Sequence, residues 1–233
     1  MKHQMIVALV FACASITVFA ESKPNTLSDE EKAAGWKLVF DGTTTKGFRG
    51  IGSKEFPAKG WVVENGMLVH KAKGGGGDII ISDPYENFEF TWEWKIPAGA
   101  NSGVKYRVED KPGGAFGPEY QLIDDAHADA KNGKHVTASL YEMFEPKEKK
   151  MKPAGEWNES RLLVNGNHVE HWLNGSKVVE YEFFGDAWNE AYAKSKYAKN
   201  PKFARTAKAH IALQDHGDET AFRNMKIREL PAK

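Results

Sequence analysis

The chain has one cysteine in 233 residues, Cys13, set inside the apolar stretch Met5 to Phe19. Cleavage after Ala20 would leave a protein with no cysteine, so its fold must hold without disulfides. Charge of one sign is equally missing: 32 basic side chains balance 32 acidic ones. That balance argues against nucleic acid or anionic lipid as the natural partner. Beyond the N-terminal stretch there is no hydrophobic run long enough to cross a membrane. The run Gly74 to Gly77 lacks the following Lys-Ser/Thr pair of a phosphate loop and leads into a strand, so it reads as a flexible turn.

What is present begins with a secretory pattern. Lys2 and His3 form a short basic start, Met5 to Phe19 is apolar, and Val18-Phe19-Ala20 offers a cleavage site. Residues 1–20 are expected to be a signal peptide and the mature protein to act in the periplasm or outside the cell. Lipoprotein anchoring at Cys13 is disfavoured, because Phe11 fits poorly and the apolar run before it is short. Residues 21–34 read as a polar, loose leader, within which Ser28-Asp29-Glu30-Glu31 has the form of a capped first helical turn. Residues 35–231 form the expected domain.

From Trp36 the chain reads as strands and turns. "WKLVF", "GWVVE", "MLVHK", "DIIIS" and "FEFTWEWKI" come first; a three-stranded meander follows between Arg161 and Phe183, with turns at Asn165-Gly166 and Asn174-Gly175. Trp188, Tyr192 and Lys196 at fourfold spacing predict one helical excursion that stops before Pro201. "AHIALQDH" and "FRNMKIREL" close the chain. Many short strands and one helical insertion predict an all-β sandwich, most simply a jelly roll.

Two neighbouring strands, "NSGVKYRV" and "PEYQLIDD", carry polar side chains where a core needs carbon. A period of two puts Lys105 with Arg107, and Glu119 with Gln121, on one face, opposite Val104, Tyr106, Val108, Tyr120 and Leu122. Such a floor of converging charges marks a polar cleft. In "HIALQDHG", Gln214 and His216 repeat the pattern, while Asp215 falls on the core side and needs a partner such as Arg223 or a backbone amide. His168 and His171 have an odd offset, so without a bulge they cannot share one metal ion; His171 alone could face the cleft. Phe88, Phe90, Trp92 and Trp94 share one face and read as core. Tyr141, Trp157 and Trp172 are the candidates for stacking on a sugar.

"GWKLVFDG", "GWVVENGML", "EWKIPAGANSGVKYR", "EYQLIDD", "WNESRLLVNGNHVEHWLNG" and "IALQDHGDETAFRNMKIREL" occur in one order and spacing from about Gly35 to Leu230. In this the chain resembles the 3-keto-disaccharide hydrolase family. The resemblance implies a concanavalin A-like jelly roll and the cleavage of glycosides oxidised to a ketone at carbon 3, with 1,2-lyase and hydratase activity among members. It carries over Asn101, Arg107, Glu119, Gln121, Asp124, Tyr141, His171, Gln214 and His216 as polar motif residues. Ala209 and Tyr197 depart from the pattern, at positions expected to lie outside the cleft. The segment Asp125 to Lys150, with His127 and His135, is the least family-like.

Retaining glycosidases need two carboxyl groups about 5 Å apart, and the sequence offers no obvious pair. A carbon-3 ketone removes that need, because it acidifies carbon 2 and lets the carbon-1 substituent leave by elimination. Glu119 or His216 would then take the carbon-2 proton; Arg107, Gln121 or a bound divalent metal ion would stabilise the enolate; His171 or Tyr141 would protonate the leaving group. Asn101, Lys105, Gln121, Tyr141 and Gln214 would bind the oligosaccharide or glycoside substrate. The alternative from another class is a non-catalytic lectin-like carbohydrate-binding module, which the same fold could host.

Overall fold

A computed structural model describes residues 23–231; the expected signal segment, with Cys13, lies outside the described residues. Thirteen strands follow a short helix, α1 (Asp29–Ala33): β1 (Lys37–Leu38), β2 (Phe48–Gly50), β3 (Trp61–Glu64), β4 (Met67–His70), β5 (Ile79–Ile81), β6 (Phe88–Lys95), β7 (Asn101–Val108), β8 (Glu119–Ile123), β9 (Asn158–Asn165), β10 (His168–Leu173), β11 (Ser176–Glu182), β12 (His210–Leu213) and β13 (Thr220–Glu229). Helix α2 (Asp186–Lys194) separates β11 from β12. One sheet runs β11-β10-β9-β6-β13-β4-β3, with β1 also paired to β13, and the other runs β2-β5-β12-β7-β8. Every pairing is antiparallel. The chain is the all-β sandwich that the strand pattern predicts, of the concanavalin type that the family resemblance implies. No helix among the described residues is long and apolar enough to cross a membrane.

The core lies between the sheets. Phe88, Phe90, Trp92 and Trp94 all point inward from β6 and are at most 2% exposed. Each of the two phenylalanines contributes about 1.5–3 kcal/mol by leaving water. Val104, Tyr106, Tyr120, Leu122, Ile211 and Leu213 meet them from the second sheet. The hairpins follow local chemistry: Asn65-Gly66 and Asn174-Gly175 have both residues at positive φ, as a type I′ turn demands. At the β9–β10 hairpin the pairing of His168 with Asn165 shifts the turn one residue on, to Gly166-Asn167, with positive φ at Gly166 alone. Helix α2 ends at Lys194, earlier than the fourfold spacing predicts, and leaves Lys196 and Tyr197 in the irregular segment beyond it.

The leader is tied down rather than loose. Ser28 and Glu31 form a capping box on α1, Lys226 Nζ donates to Glu31 Oε1 at 2.6 Å, and Asn25 exchanges hydrogen bonds with Asn224.

One departure reshapes the polar floor. Between β7 and β12 the register runs Leu213 to Val104 and Ala212 to Lys105, then jumps to His210 opposite Val108. Strand β7 therefore carries one extra residue, a β-bulge, with Arg107 at φ +51°. Past the bulge the alternation inverts. Val108 joins Ile80, Ala115 and Ala212 in a small outer cluster, while Arg107 turns away from Lys105.

Candidate active site

A cavity of about 240 Å³ opens on the outer face of the five-stranded sheet, over β7, β8 and the continuation of β12. Asn101 and Lys105 reach it from β7, and Glu119 and Gln121 from β8. Gln214 and His216 enter because the backbone beyond β12 keeps pairing, with Gln214 N–H donating to Gly103 O at 2.9 Å. Tyr141 enters for a similar reason. The segment Thr137–Tyr141 runs along the free edge of β8, where Ala138 N–H donates to Gln121 O and Tyr141 N–H to Glu119 O.

Glu119 sits at the bottom of this cavity, 6% exposed and directly opposite Lys105 in the strand register. In its hydrogen-bonding orientation the Gln214 amide donates to Glu119 Oε1 at 3.2 Å and accepts from Lys105 Nζ at 3.1 Å. Lys105 also donates to Ala115 O at 3.1 Å. The carboxylate is thus oriented through an amide that is itself fixed by an ammonium group. Burial raises the Glu119 pKa above the usual carboxylate value, against the opposing pull of Lys105 and Lys196. Gly103 makes this placement possible, since a Cβ there would collide with Glu119 Oε1. Asn101 is 3% exposed and its Oδ1 has no protein partner, leaving a buried acceptor at the cavity wall.

Residues that the strand pattern could not reveal complete the enclosure. Lys196 holds its ammonium 4.3 Å from the centre of the Tyr141 ring and 5.4 Å from that of Tyr197. Tyr197, expected outside the cleft, lines it, as do Asp129 and Phe116. Burial raises the pKa of Tyr141, with Glu142 and Glu119 adding to the effect. Of Lys196, Tyr197, Asp129 and Phe116, only Lys196 stands in a periodic pattern, and that pattern marks a helix rather than a cleft.

Three expected site residues stand elsewhere. Arg107 is carried by the bulge onto the Phe183 ring, 3.7 Å from its centre, and donates to Ala204 O at 3.1 Å and Gly166 O at 2.8 Å. It is not beside Glu119. His171 faces inward from β10, fully buried, with Nδ1 3.0 Å from Ala138 O and Nε2 2.8 Å from Tyr106 Oη; burial lowers its pKa to about 4. Its position on the inner face of the other sheet keeps it from the cavity. Asp124 accepts from Gly99 N–H at 2.6 Å and Ala126 N–H at 3.2 Å and caps a turn.

Several other groups have structural partners. Asp215 pairs with the buried His70 at 3.0 Å and accepts from the Gly77 and Gly217 amides, whereas Arg223 pairs with Glu93 at 2.7 Å. Trp157 and Trp172 are covered by Arg223 and Arg161 at 4.0 and 4.2 Å. His135 stacks on Tyr141 at 4.7 Å, and His127 Nδ1 accepts from Asp129 N–H. Among the described residues, the one cluster of three groups close enough to share a metal ion is His168, Glu170 and Glu180, on the outer face of the other sheet. Lys177 binds both of its carboxylates.

A buried, hydrogen-bonded carboxylate at the floor of a polar cavity on the outer face of the sandwich is the arrangement of a small-molecule site. Comparison gives the family: residues 35–228 match the 3-keto-alpha-glucoside-1,2-lyase-like domain, and the chain belongs to that family. A 3-keto-disaccharide hydrolase of Bacteroides thetaiotaomicron is 34% identical over 231 residues, covering 85% of this chain and 79% of that protein. A crystal structure of a candidate glycosyl hydrolase from Parabacteroides distasonis superposes with a TM-score of 0.82 at 35% identity, covering 90% of this chain and all of the other. A second such protein from that organism gives 0.61 at 26% identity, covering 78% of this chain and 99% of its own.

Proposed function

We propose that the cavity cleaves the glycosidic bond of 3-keto-glycosides, disaccharides among them, by elimination followed by addition of water. The observation that carries this reading is Glu119, a buried carboxylate with a raised pKa, held by Gln214 and Lys105 beside an unpaired Asn101 oxygen. A base of raised pKa suits the abstraction of a carbon-acid proton near neutral pH. The family assignment and the 3-keto-disaccharide hydrolase relative support the substrate class.

In the proposed sequence, Glu119 takes the proton from carbon 2, with His216 at the rim as the alternative base. The electron pair moves into the carbon-3 carbonyl, and the enolate oxygen meets an ammonium group, Lys105 or Lys196, the cations that line the cavity in place of Arg107. The enolate re-forms the ketone as the carbon-1 to oxygen bond breaks. Tyr141 or His216 gives the leaving oxygen its proton, since His171 is sealed in the core. Water then adds at carbon 1 of the enone, carbon 2 regains a proton, and the sum is hydrolysis. Asn101 Oδ1 would accept a sugar hydroxyl. We further propose that this happens outside the cytoplasm after removal of residues 1–20, a reading supported by the basic start and apolar run of the sequence.

The deciding experiment offers residues 21–233 a 3-keto-disaccharide and its unoxidised parent, with and without a chelator, and follows sugar release and enone absorbance. Release from the keto sugar alone, with transient enone, is expected. Equal release from both would overturn ketone-dependent elimination, and saturable binding without release would favour the lectin-like module. Loss of activity with chelator would assign the enolate to a divalent ion rather than to a lysine.

A further inference from the structure

Among the described residues, only Val62 and Phe116 are exposed large hydrophobic side chains, and Phe116 stands at the mouth of the cavity. It is 45% exposed. Its ring is braced from one side by a parallel pair, Tyr197 and Phe203, stacked 4.1 Å apart. Both meet it edge to face, at 5.9 and 5.4 Å. Phe116 is thus a ring packed against two core aromatics whose remaining surface faces solvent at a polar mouth.

The same ring walls a second concavity of about 300 Å³. Arg107, Glu109, Lys111, Asn200, Lys202 and Thr206 give it a polar lining, in which Glu109 accepts from Lys111 Nζ and Thr206 Oγ1 and the Lys202 ammonium and Asn200 amide remain for a sugar's hydroxyls. Each hollow lies at or below the lower end of the range of about 300–1,000 Å³ that encloses drug-sized ligands. Each suits one sugar ring rather than two. A pyranose presents an apolar C–H face for an aromatic ring and an equatorial belt of hydroxyls for polar groups, and the arrangement at Phe116 supplies both.

Resting on the proposed 3-keto-glycoside chemistry, we propose that Phe116 is the platform for the leaving sugar. The oxidised ring would occupy the Glu119 cavity, and the second ring would cross Phe116 into the neighbouring hollow. Phe116 is then a specificity-determining residue, which favours disaccharides over glycosides with a small aglycone and acts on binding rather than on the elimination step.

The test compares a 3-keto-disaccharide with the methyl 3-keto-glucoside in the wild type, Phe116→Ala and Phe116→Trp. Calorimetric binding of the unoxidised disaccharide gives a readout independent of turnover. In Phe116→Ala, kcat/KM for the disaccharide should fall about tenfold more than for the methyl glycoside, through KM. Phe116→Trp should restore the preference. Equal changes on the two substrates, or binding of the unoxidised disaccharide that Phe116→Ala leaves intact, would overturn the platform. Should the wild type turn over neither keto sugar, the proposed chemistry fails. Disaccharide binding that is lost in Phe116→Ala and kept in Phe116→Trp would still establish the platform, and absence of any sugar binding to the wild type would refute it.

Discussion

At the scale of single residues the site turns on Glu119 and the space that Gly103 leaves for it. Glu119→Gln keeps the shape and removes the proposed base, so turnover should drop at least about a hundredfold; a rate near that of the wild type would assign the base to His216. Because burial raises the Glu119 pKa and the proposed base acts deprotonated, activity should be lost as pH falls through a value above that of a free glutamate. A pH–rate profile reads this directly. Gly103→Ala makes a sharper test of position. The Cβ would strike the end of the Glu119 side chain, which can swing aside, so the fold should survive while kcat falls about ten- to a hundredfold. Circular dichroism and steady-state kinetics on one preparation separate the two effects.

At the scale of elements, the bulge in β7 decides which cations the site contains. Strict alternation predicts Lys105 and Arg107 side by side, and one extra residue separates them. Arg107 instead ties β7 to the β9–β10 turn at Gly166 and to the segment after α2 at Ala204. Burial lowers its pKa, but the two carbonyls and the Phe183 ring compensate the charge. Arg107→Ala should therefore destabilise the protein by about 2–3 kcal/mol in urea titration, with kcat of the folded protein within about threefold of wild type. A loss of kcat as large as that of Glu119→Gln, at unchanged stability, would return Arg107 to the catalytic set. The edge segment Thr137–Tyr141 makes the complementary point. It has no strand periodicity, yet its hydrogen bonds to β8 deliver Tyr141 to the cavity.

At the scale of the whole molecule, the two sheets are joined by a polar link inside an apolar core. Tyr106 Oη of one sheet lies 2.8 Å from His171 Nε2 and 2.6 Å from Tyr181 Oη of the other. Desolvation lowers the His171 pKa from 6.5 to about 4, so the folded protein holds it neutral. Its contribution is intact above pH 6.5. Below that the unfolded chain takes up a proton that the folded one refuses, and stability falls by about 3 kcal/mol in total as pH drops from 6.5 to 4. His171→Gln should remove this part of the slope, whatever its effect on stability at pH 7. An unchanged slope in denaturation measured between pH 7 and 4.5 would refute the assignment. The link also explains a misleading signal, since a histidine on a regular strand reads alike whether it meets a ligand or a tyrosine of the facing sheet.

By itself the sequence determined the elements and, wherever a strand runs without a bulge, their faces. Alternation in β6, the tight-turn dipeptides at Asn65 and Asn174, the Ser28–Glu31 box and the split of Ile211 and Leu213 from Gln214 and His216 all follow from local stereochemistry and burial. These forces act within a few residues, so a few residues reveal them. Only the tertiary structure decided what met in the cavity. The register jump that removed Arg107, the packing that sealed His171, and the loops that brought Lys196, Tyr197, Asp129 and Phe116 to the mouth depend on contacts between segments far apart in the chain. A pattern with a period of two or four carries no record of such contacts.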